Sequence, residues 1–310
     1  MANKTIKKYM LHLGIEKGVS ESTLRAYEGD ILQFFKYLKD SGGNPDPAIT
    51  APAHVKSWLG SLSRNGYTAR SISRKVASLR SFFSWLARQG EIARDPTLGI
   101  STPKKGRDLP VFAGREAVGR MMELPPRDTR KGIRDRAVLE LLYGTGMRLA
   151  ELVDSTVSRC DFTKGTIKVT GKRDKERILP LSGEASTTLA AWMKEIFGVP
   201  EEAFSDRVQY TAFFADRPDA PIFPGRDGKS ISRRTVQRIV KKYLEQVAAL
   251  TRMSPHVIRH TFATHLLDSG ADLRAVQELL GHVNLTTTQI YTHVTMEKLR
   301  EIFDRSHPRA

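Results

Sequence analysis

Apolar residues recur at helical spacing through the first hundred residues of the chain. In SESTLRAYEGDILQFFKYLKDSG the apolar face is formed by Leu24, Tyr27, Ile31, Phe34, Phe35 and Leu38. In TARSISRKVASLRSFFSWLARQG the equivalent face is formed by Ile72, Val76, Leu79, Phe82, Phe83 and Leu86. The spacing predicts two amphipathic helices. Ser20 or Ser22 can cap the first of them, and Gly42 is a suitable stop.

The pattern breaks in STPKKGRDLP, residues 101–110, which has two prolines, a glycine and several basic residues but no apolar period. Such a stretch favours an extended linker. We therefore predict a helical domain over 1–100, a linker over 101–110 and a second domain over 111–310.

The second domain mixes two periods. IRDRAVLELLYGTGMRLAELVDS predicts two helices with a break at Gly144 and Gly146. Residues 166–170 and 177–181 are β-rich and are bordered by turns at 164–165 and 172–175. The expected fold is mainly α with a small antiparallel β-sheet. The proline-containing stretch 197–224 gives no clear element.

Basic residues lie on the polar side of two predicted helices. In SRRTVQRIVKKYLEQV an apolar face is opposed by a basic stripe at Arg234, Arg238 and Lys241. In the earlier helix the polar side carries Arg70, Arg74, Lys75 and Arg80. A charged helix side is normally a solvated one, but the uniform positive sign favours contact with phosphate. We take all of these residues except Lys75 as candidate DNA contacts.

The composition limits the classes of binding partner to be expected. The chain of 310 residues carries a net charge of +16 and has a pI near 10.0, which favours a nucleic-acid partner. It has one cysteine, Cys160, so we expect a reducing cytoplasm. The N-terminus lacks the apolar stretch of a signal peptide, and no run has the length of a membrane span.

The run SPHVIRHTFATHLL, residues 254–267, contains three histidines and an arginine. Ser254 and Pro255 predict a helix start, so His256 falls in its first turn, where free backbone N–H groups favour an anion, and Arg259 shares the same face. His260 lies on the same side and can join or support them. His265 falls on the apolar side, as a buried, hydrogen-bonded core residue. A zinc site at His256 and His260 lacks further ligands and would face an arginine.

Four pieces in this order carry a resemblance: GTGMRLAEL, a lysine in a β-turn, SPHVIRHTFATHLLDSGADLRAVQELLGH and TTTQIYTHV. Together they resemble the tyrosine recombinase (integrase) family, and the order, spacing and ending look like its bacterial Xer group. The resemblance covers nearly the whole chain. It implies an N-terminal four-helix, SAM-like core-binding domain and a C-terminal α+β catalytic domain.

The resemblance also implies a catalytic set. Its members are Arg148, Lys172, His256, Arg259, His282 and the nucleophile Tyr291, with Glu151 orienting Arg148 and His260 in support. Lys175 is a rival for Lys172, since the register of the turn is not fixed by the sequence.

The residue types suit phosphoryl transfer. Arg148 and Arg259 can hold the non-bridging oxygens and stabilise the charge of the transition state. Tyr291 attacks phosphorus and forms a phosphotyrosine, while His256 takes the proton and Lys172 protonates the leaving 5′ oxygen. The bond energy is kept, so we expect no ATP, no metal and no cofactor.

The resemblance implies double-stranded DNA as substrate and a homo- or heterotetramer on two sites, with a paralogous recombinase or a DNA translocase as further partners. A C-terminal segment with Leu299, Ile302 and Phe303 would dock into a neighbouring protomer. The cellular role would be resolution of chromosome or plasmid dimers in the nucleoid. A non-catalytic DNA-binding architectural protein stays open as the alternative, whereas a metal-dependent nuclease or hydrolase is disfavoured.

Overall fold

The computed structural model describes residues 2–17, 19–102, 112–171, 174–247, 253–281 and 301–302. The chain forms two compact units, Met1–Asp108 and Leu109–Ala310. In the described parts, no helix combines the length and the apolar character that a bilayer span requires.

The described part of the Met1–Asp108 unit contains four helices: α1 (Ala2–Ile15), α2 (Glu21–Asp40), α3 (Pro52–Arg64) and α4 (Ala69–Arg88), with a 3-10 turn at Pro47–Ile49. Aromatic rings fill the space between them. Phe34 meets Phe35 and Trp58 edge-on, with ring centroids 5.3 and 5.2 Å apart, and Phe82 meets Phe83 at 5.3 Å. Such edge-on pairs add to the stabilisation from burial. The predicted apolar faces of α2 and α4 supply this core.

The expectation that Lys75 lies on the polar side of α4 is wrong. Its side chain is only 8% exposed, and its Nζ donates to Asp30 Oδ1 at 2.8 Å and to Gln33 Oε1 at 2.5 Å. Arg74 and Ser78 also donate to the buried Asp30 carboxylate. Lys75 can lie in the core because its charge is paired there, and the partner is on another helix.

The Leu109–Ala310 unit has eight described helices: α5 (Arg115–Glu123), α6 (Arg130–Thr145), α7 (Leu149–Val153), α8 (Gly183–Phe197), α9 (Arg207–Phe213), α10 (Arg233–Val247), α11 (Pro255–Asp268) and α12 (Leu273–Leu279). The helix α6 is buried on nearly every side. Several others are amphipathic and pack around the same core. The predicted mainly α fold is confirmed.

A small antiparallel sheet accompanies these helices, as predicted. Its strands are β1 (Cys160–Asp161), β2 (Thr166–Thr170) and β3 (Glu176–Pro180), in the order β1-β2-β3. In β2 and β3, Thr170 pairs with Glu176 and Thr166 with Pro180. Thr170 and Glu176 are therefore the last paired residues before the segment that joins the two strands.

The stretch 197–224, which the sequence left without an element, contains a 3-10 turn at Glu201–Phe204 and the helix α9. The Asp206 carboxylate caps α9 by accepting from the N–H groups of Val208 and Gln209. The segment is also fastened to the core, because Trp192 donates to the Ile222 carbonyl at 2.8 Å.

Gly146 ends α6 in a left-handed conformation with φ +62°. A Cβ atom at this position would lie 2.3 Å from Cδ1 of Phe262 on α11. The absence of a side chain thus lets the end of α6 approach α11 closely. Arg148, two residues later, begins α7 beside this junction.

Candidate active site

The start of α11 places His256, in its first turn, and Arg259, one turn further, on one side of the helix as predicted. Ser254 is extended at the N-cap and Pro255 is the first helical residue. His256 and His260 are exposed, and Arg259 is half-buried. The structure brings Arg259, but not the two histidines, into a network of described hydrogen bonds with other elements.

Arg259 reaches across to two other segments. Its Nη1 donates to the Gly146 carbonyl at 2.5 Å and its Nη2 donates to the Leu280 carbonyl. Burial, followed by the nearby charges of Arg148 and Arg177, lowers the pKa of Arg259 to about 10, and Glu151 opposes this change. The guanidinium therefore stays charged at neutral pH inside a strongly positive surrounding.

Arg148 and Glu151 cap the N-terminus of α7 reciprocally. The Glu151 carboxylate accepts the Arg148 backbone N–H at 2.7 Å through Oε2, and Arg148 Nη1 at 2.9 Å through Oε1. Arg148 Nη2 donates to the Gly281 carbonyl at 2.9 Å. Glu151 therefore contacts both the backbone and the guanidinium of Arg148, and the far end of that guanidinium contacts the chain that follows α12.

Arg177 is a third member of this group that sequence reasoning missed. It lies on β3 and donates through Nη1 and Nη2 to the two oxygens of Glu151, at 2.7 and 2.8 Å. Its Nε donates to the Leu279 carbonyl at 2.9 Å. The only sequence signal was a basic residue inside a β-rich run, beside the turn with Lys172.

We call Arg148, Arg177 and Arg259 with Glu151 the arginine cluster. Burial alone would raise the pKa of Glu151, but its hydrogen bonds with Arg177 and Arg148 together hold it below the ordinary carboxyl value. The carboxylate is only 2% exposed, and it is the one acidic member among three guanidinium groups. A surplus of forked cationic donors beside α12 and the start of α11 suits a phosphate group.

Three predicted catalytic residues, Lys172, His282 and Tyr291, lie outside the described residues. The turn that should carry the lysine is closed by the Gly171 N–H, which donates to the Lys175 carbonyl at 2.7 Å. Lys175 itself is exposed. The choice between Lys172 and Lys175 thus stays a prediction.

His265 is buried, as predicted. Its Nδ1 lies 2.9 Å from the Tyr143 hydroxyl, and burial, with the charge of Arg115, lowers the pKa of the imidazole. Within the described ranges, no group of three or more histidine, cysteine or acidic side chains is arranged to hold a metal. The histidines of this run therefore separate into an exposed pair and a core residue.

The candidate DNA contacts fall into two kinds. Arg70, Arg234 and Arg238 are exposed. The other three are also exposed, but each already interacts with another group of the chain. Arg74 pairs with Asp30, Arg80 donates to the Ile100 carbonyl at 2.9 Å, and Lys241 Nζ lies 3.4 Å from Glu245 Oε1. The stripe on α10 is opposite its buried face, as predicted.

Comparison with known proteins places the whole chain. Residues 114–298 match the phage integrase family, and residues 6–90 match the phage integrase N-terminal SAM-like domain. A tyrosine recombinase XerD of Listeria monocytogenes serotype 4b is 36% identical over 99% of this chain and 100% of the relative. A tyrosine recombinase XerC of Pelobacter propionicus is 38% identical over 98% of this chain and 95% of the relative.

Solved structures agree on the fold. The Tn1549 transposon integrase in complex with circular intermediate DNA has a TM-score of 0.66 at 20% identity, over 95% of this chain and 97% of that one. The XerH recombinase bound to a palindromic difH substrate has a TM-score of 0.65 at 22% identity, over 90% and 78%. The chain therefore belongs to the phage integrase family and, within it, to the bacterial Xer-type tyrosine recombinases.

Proposed function

We propose that this protein is a site-specific DNA recombinase that cuts and rejoins DNA through a 3′-phosphotyrosine. The observation that carries the proposal is the arginine cluster: Arg148 and Arg177 share the buried Glu151 carboxylate, and Arg259 donates to the Leu280 carbonyl, next to the Gly281 carbonyl that accepts from Arg148. Such a cluster has a net positive charge in a place partly withdrawn from water, where electrostatic stabilisation of a phosphoryl-transfer transition state is strongest.

The residues divide the reaction among themselves. Arg148 and Arg259 bind the non-bridging oxygens of the scissile phosphate, and His282 donates a further hydrogen bond. The Tyr291 oxygen forms a bond to phosphorus as the bond to the 5′ oxygen breaks. His256 takes the phenolic proton, and the turn lysine, Lys172 or Lys175, protonates the leaving oxygen. Reversal with a second 5′ hydroxyl rejoins the strand without ATP.

Two basic surfaces, one in each unit, would bind the duplex. Arg70 on α4 and the Arg234–Arg238 face of α10 project cationic side chains into solvent, and such groups bind the phosphate backbone with little regard to sequence. We propose the helical domain as the core-binding domain.

The family membership supports a proposal about the assembly. We infer a tetramer on two DNA sites, with four copies of this chain or two with a paralogue, held together by the C-terminal segment. Resolution of chromosome or plasmid dimers in the cytoplasm, with a DNA translocase as activator, is the cellular role that best suits a Xer-type enzyme.

A covalent-adduct experiment tests the activity. The target duplex is first selected from random sequences by binding to the protein, then nicked near the site so that a cleaved strand can depart. Incubation without metal and with EDTA should give a covalent protein–DNA species that survives denaturant. Tyr291→Phe should bind the same duplex and form none.

Two results would contradict the proposal: no adduct with the wild-type protein, or an adduct that Tyr291→Phe forms equally well. DNA binding without an adduct would favour the architectural alternative. Cleavage that requires a divalent cation would favour a metal-dependent nuclease.

A further inference from the structure

Arg177 connects Glu151, the carboxylate of the arginine cluster, to the end of α12. Its two Nη atoms meet both oxygens of Glu151, at 2.7 and 2.8 Å, and its Nε meets the Leu279 carbonyl at 2.9 Å. One planar guanidinium thus connects β3, the carboxylate that orients Arg148, and the last residue of α12. His282 follows Leu279 by three positions.

Exposure separates Arg177 from its neighbours. The Arg177 side chain is 15% exposed, against 36% for Arg148. Arg177 binds the same carboxylate as Arg148 but is less exposed to solvent. All three of its described hydrogen bonds are made to other groups of the protein. This is the arrangement of a side chain that holds others in place.

The fork of Arg177 sets the rotation of the Glu151 carboxylate. Both carboxylate oxygens accept from Arg177 and, at the same time, from Arg148: Oε1 from its Nη1 and Oε2 from its backbone N–H. A bidentate pair fixes the plane of the carboxylate, and a compact ammonium in place of the fork does not. Without Arg177, the carboxylate can turn and the Arg148 guanidinium loses its defined direction.

We propose that Arg177 is a positioning residue for the transesterification: it fixes Glu151, and through Glu151 the phosphate-binding direction of Arg148, while it fastens the end of α12 ahead of His282. The inference rests on the proposed function and adds a residue that makes no contact with the reacting atoms. Displacement of a reacting group by about 1 Å can slow a reaction roughly a hundredfold.

The test is single-turnover cleavage of the nicked duplex by saturating full-length protein, with rate constant and amplitude measured separately. We expect the rate constant to fall about tenfold in Arg177→Lys and about a hundredfold in Arg177→Ala, with unchanged DNA affinity. The amplitude of Arg177→Lys, which is the fraction of protein that reacts, should equal that of the wild type. Arg159→Ala is the matched control, because Arg159 pairs with Thr170 and Glu176 on the same sheet and not with Glu151; its rate constant should equal the wild-type value.

A second substrate shows which group Arg177 acts through. In a duplex with sulfur at the bridging 5′ position, the Tyr291 oxygen forms the new bond to phosphorus as the P–S bond breaks, and a thiolate departs without a proton. This substrate should rescue a variant of the turn lysine, since the acid is no longer needed. The deficit of Arg177→Lys should persist, because its cause lies at the non-bridging oxygens.

Each contrary outcome is decisive. An unchanged rate constant in Arg177→Lys, or a loss of amplitude alone, would overturn the positioning role and leave a structural one. Rescue of Arg177→Lys by the sulfur substrate would overturn the route through Arg148 in favour of the turn lysine. No adduct with the wild-type protein would overturn the proposed function itself and, with it, this inference.

Discussion

Replacement of Glu151 by glutamine tests the electrostatic reasoning about the arginine cluster most directly. The change keeps the size of the side chain but removes its charge and turns one of its two acceptors into a donor. The carboxylate accepts four hydrogen bonds, two from Arg148 and two from Arg177, at 2.7 to 2.9 Å. Only the oxygen of the amide can accept hydrogen bonds. The two N–H groups that bind the other carboxylate oxygen would therefore face the amide NH₂, which is itself a donor.

The expected cost is large because the site is buried. Hydrogen bonds to charged groups contribute about 1.5–3 kcal/mol each, and removal of one partner of a buried ion pair costs about 3–5 kcal/mol. The second figure already includes the lost bonds, so the two are not summed. The variant also leaves three guanidinium groups without a negative partner inside the cluster. We expect the unfolding free energy of the catalytic unit to fall by about 3–5 kcal/mol.

Hydrogen exchange of the full chain, followed by mass spectrometry of peptides from α6 and α7, measures this free energy in the relevant unit alone. Glu176→Gln is the matched control, since Glu176 pairs with Lys168 at 2.7 Å on the exposed edge of the sheet. It should leave the exchange rates unchanged. A loss below about 1 kcal/mol in Glu151→Gln, the size of a surface pair, would refute the reasoning.

The pH dependence has a defined sign. Since the folded pKa of Glu151 lies below its ordinary value of 4.5, its contribution is fully present above that value. It is lost as the pH falls through the depressed folded pKa. The difference between the wild-type protein and Glu151→Gln should therefore narrow below pH 4.5. A difference that stays constant on acidification would show that the charge is not its cause.

Three further predictions concern the fold. Gly146→Ala should lower the unfolding free energy by about 1–2 kcal/mol because alanine is strained in the left-handed backbone, and by about 1–3 kcal/mol more because its Cβ clashes with Phe262. In Gly198→Ala, where φ is +74° and the surrounding space is open, thermal unfolding should show the loss from backbone strain alone. The melting temperature should fall as the pH drops below 6.5, because burial lowers the folded pKa of His265 from that value; an equal slope in His265→Asn would contradict this. Asp30→Asn should lower the unfolding free energy of the helical domain by about 3–5 kcal/mol, since it leaves the Lys75 charge buried without its partner; unchanged exchange protection of α4 peptides would contradict it.

The sequence was a good guide where a pattern is local. Helical spacing located α2, α4, α10 and α11, and alternation located β2 and β3 within one residue of their ends. The position of His256 in the first turn, and of Arg259 one turn further, follows from Ser254 and Pro255 alone. Each of these features depends on neighbours within a few positions.

The failures involve partners that are distant in sequence. Lys75 belongs to the core because Asp30, 45 positions away, is buried opposite it. Arg177 belongs to the site because Glu151, 26 positions away, lies beneath it. Sequence periodicity does not reveal such pairs, because each charged residue taken alone is typical of a solvated surface. The short helix α9 was missed for a different reason: seven residues are too few to show a helical period.

Arg148 and Arg259 each donate to a carbonyl of the chain that leads from α12 toward Tyr291, at Gly281 and Leu280 respectively. Under the proposed function, a DNA phosphate and these carbonyls compete for the same N–H groups. Competition of this kind is reciprocal by thermodynamic linkage. A phosphate that takes the donors weakens their hydrogen bonds to the chain before Tyr291, and a substitution that weakens those hydrogen bonds should raise the affinity for phosphate.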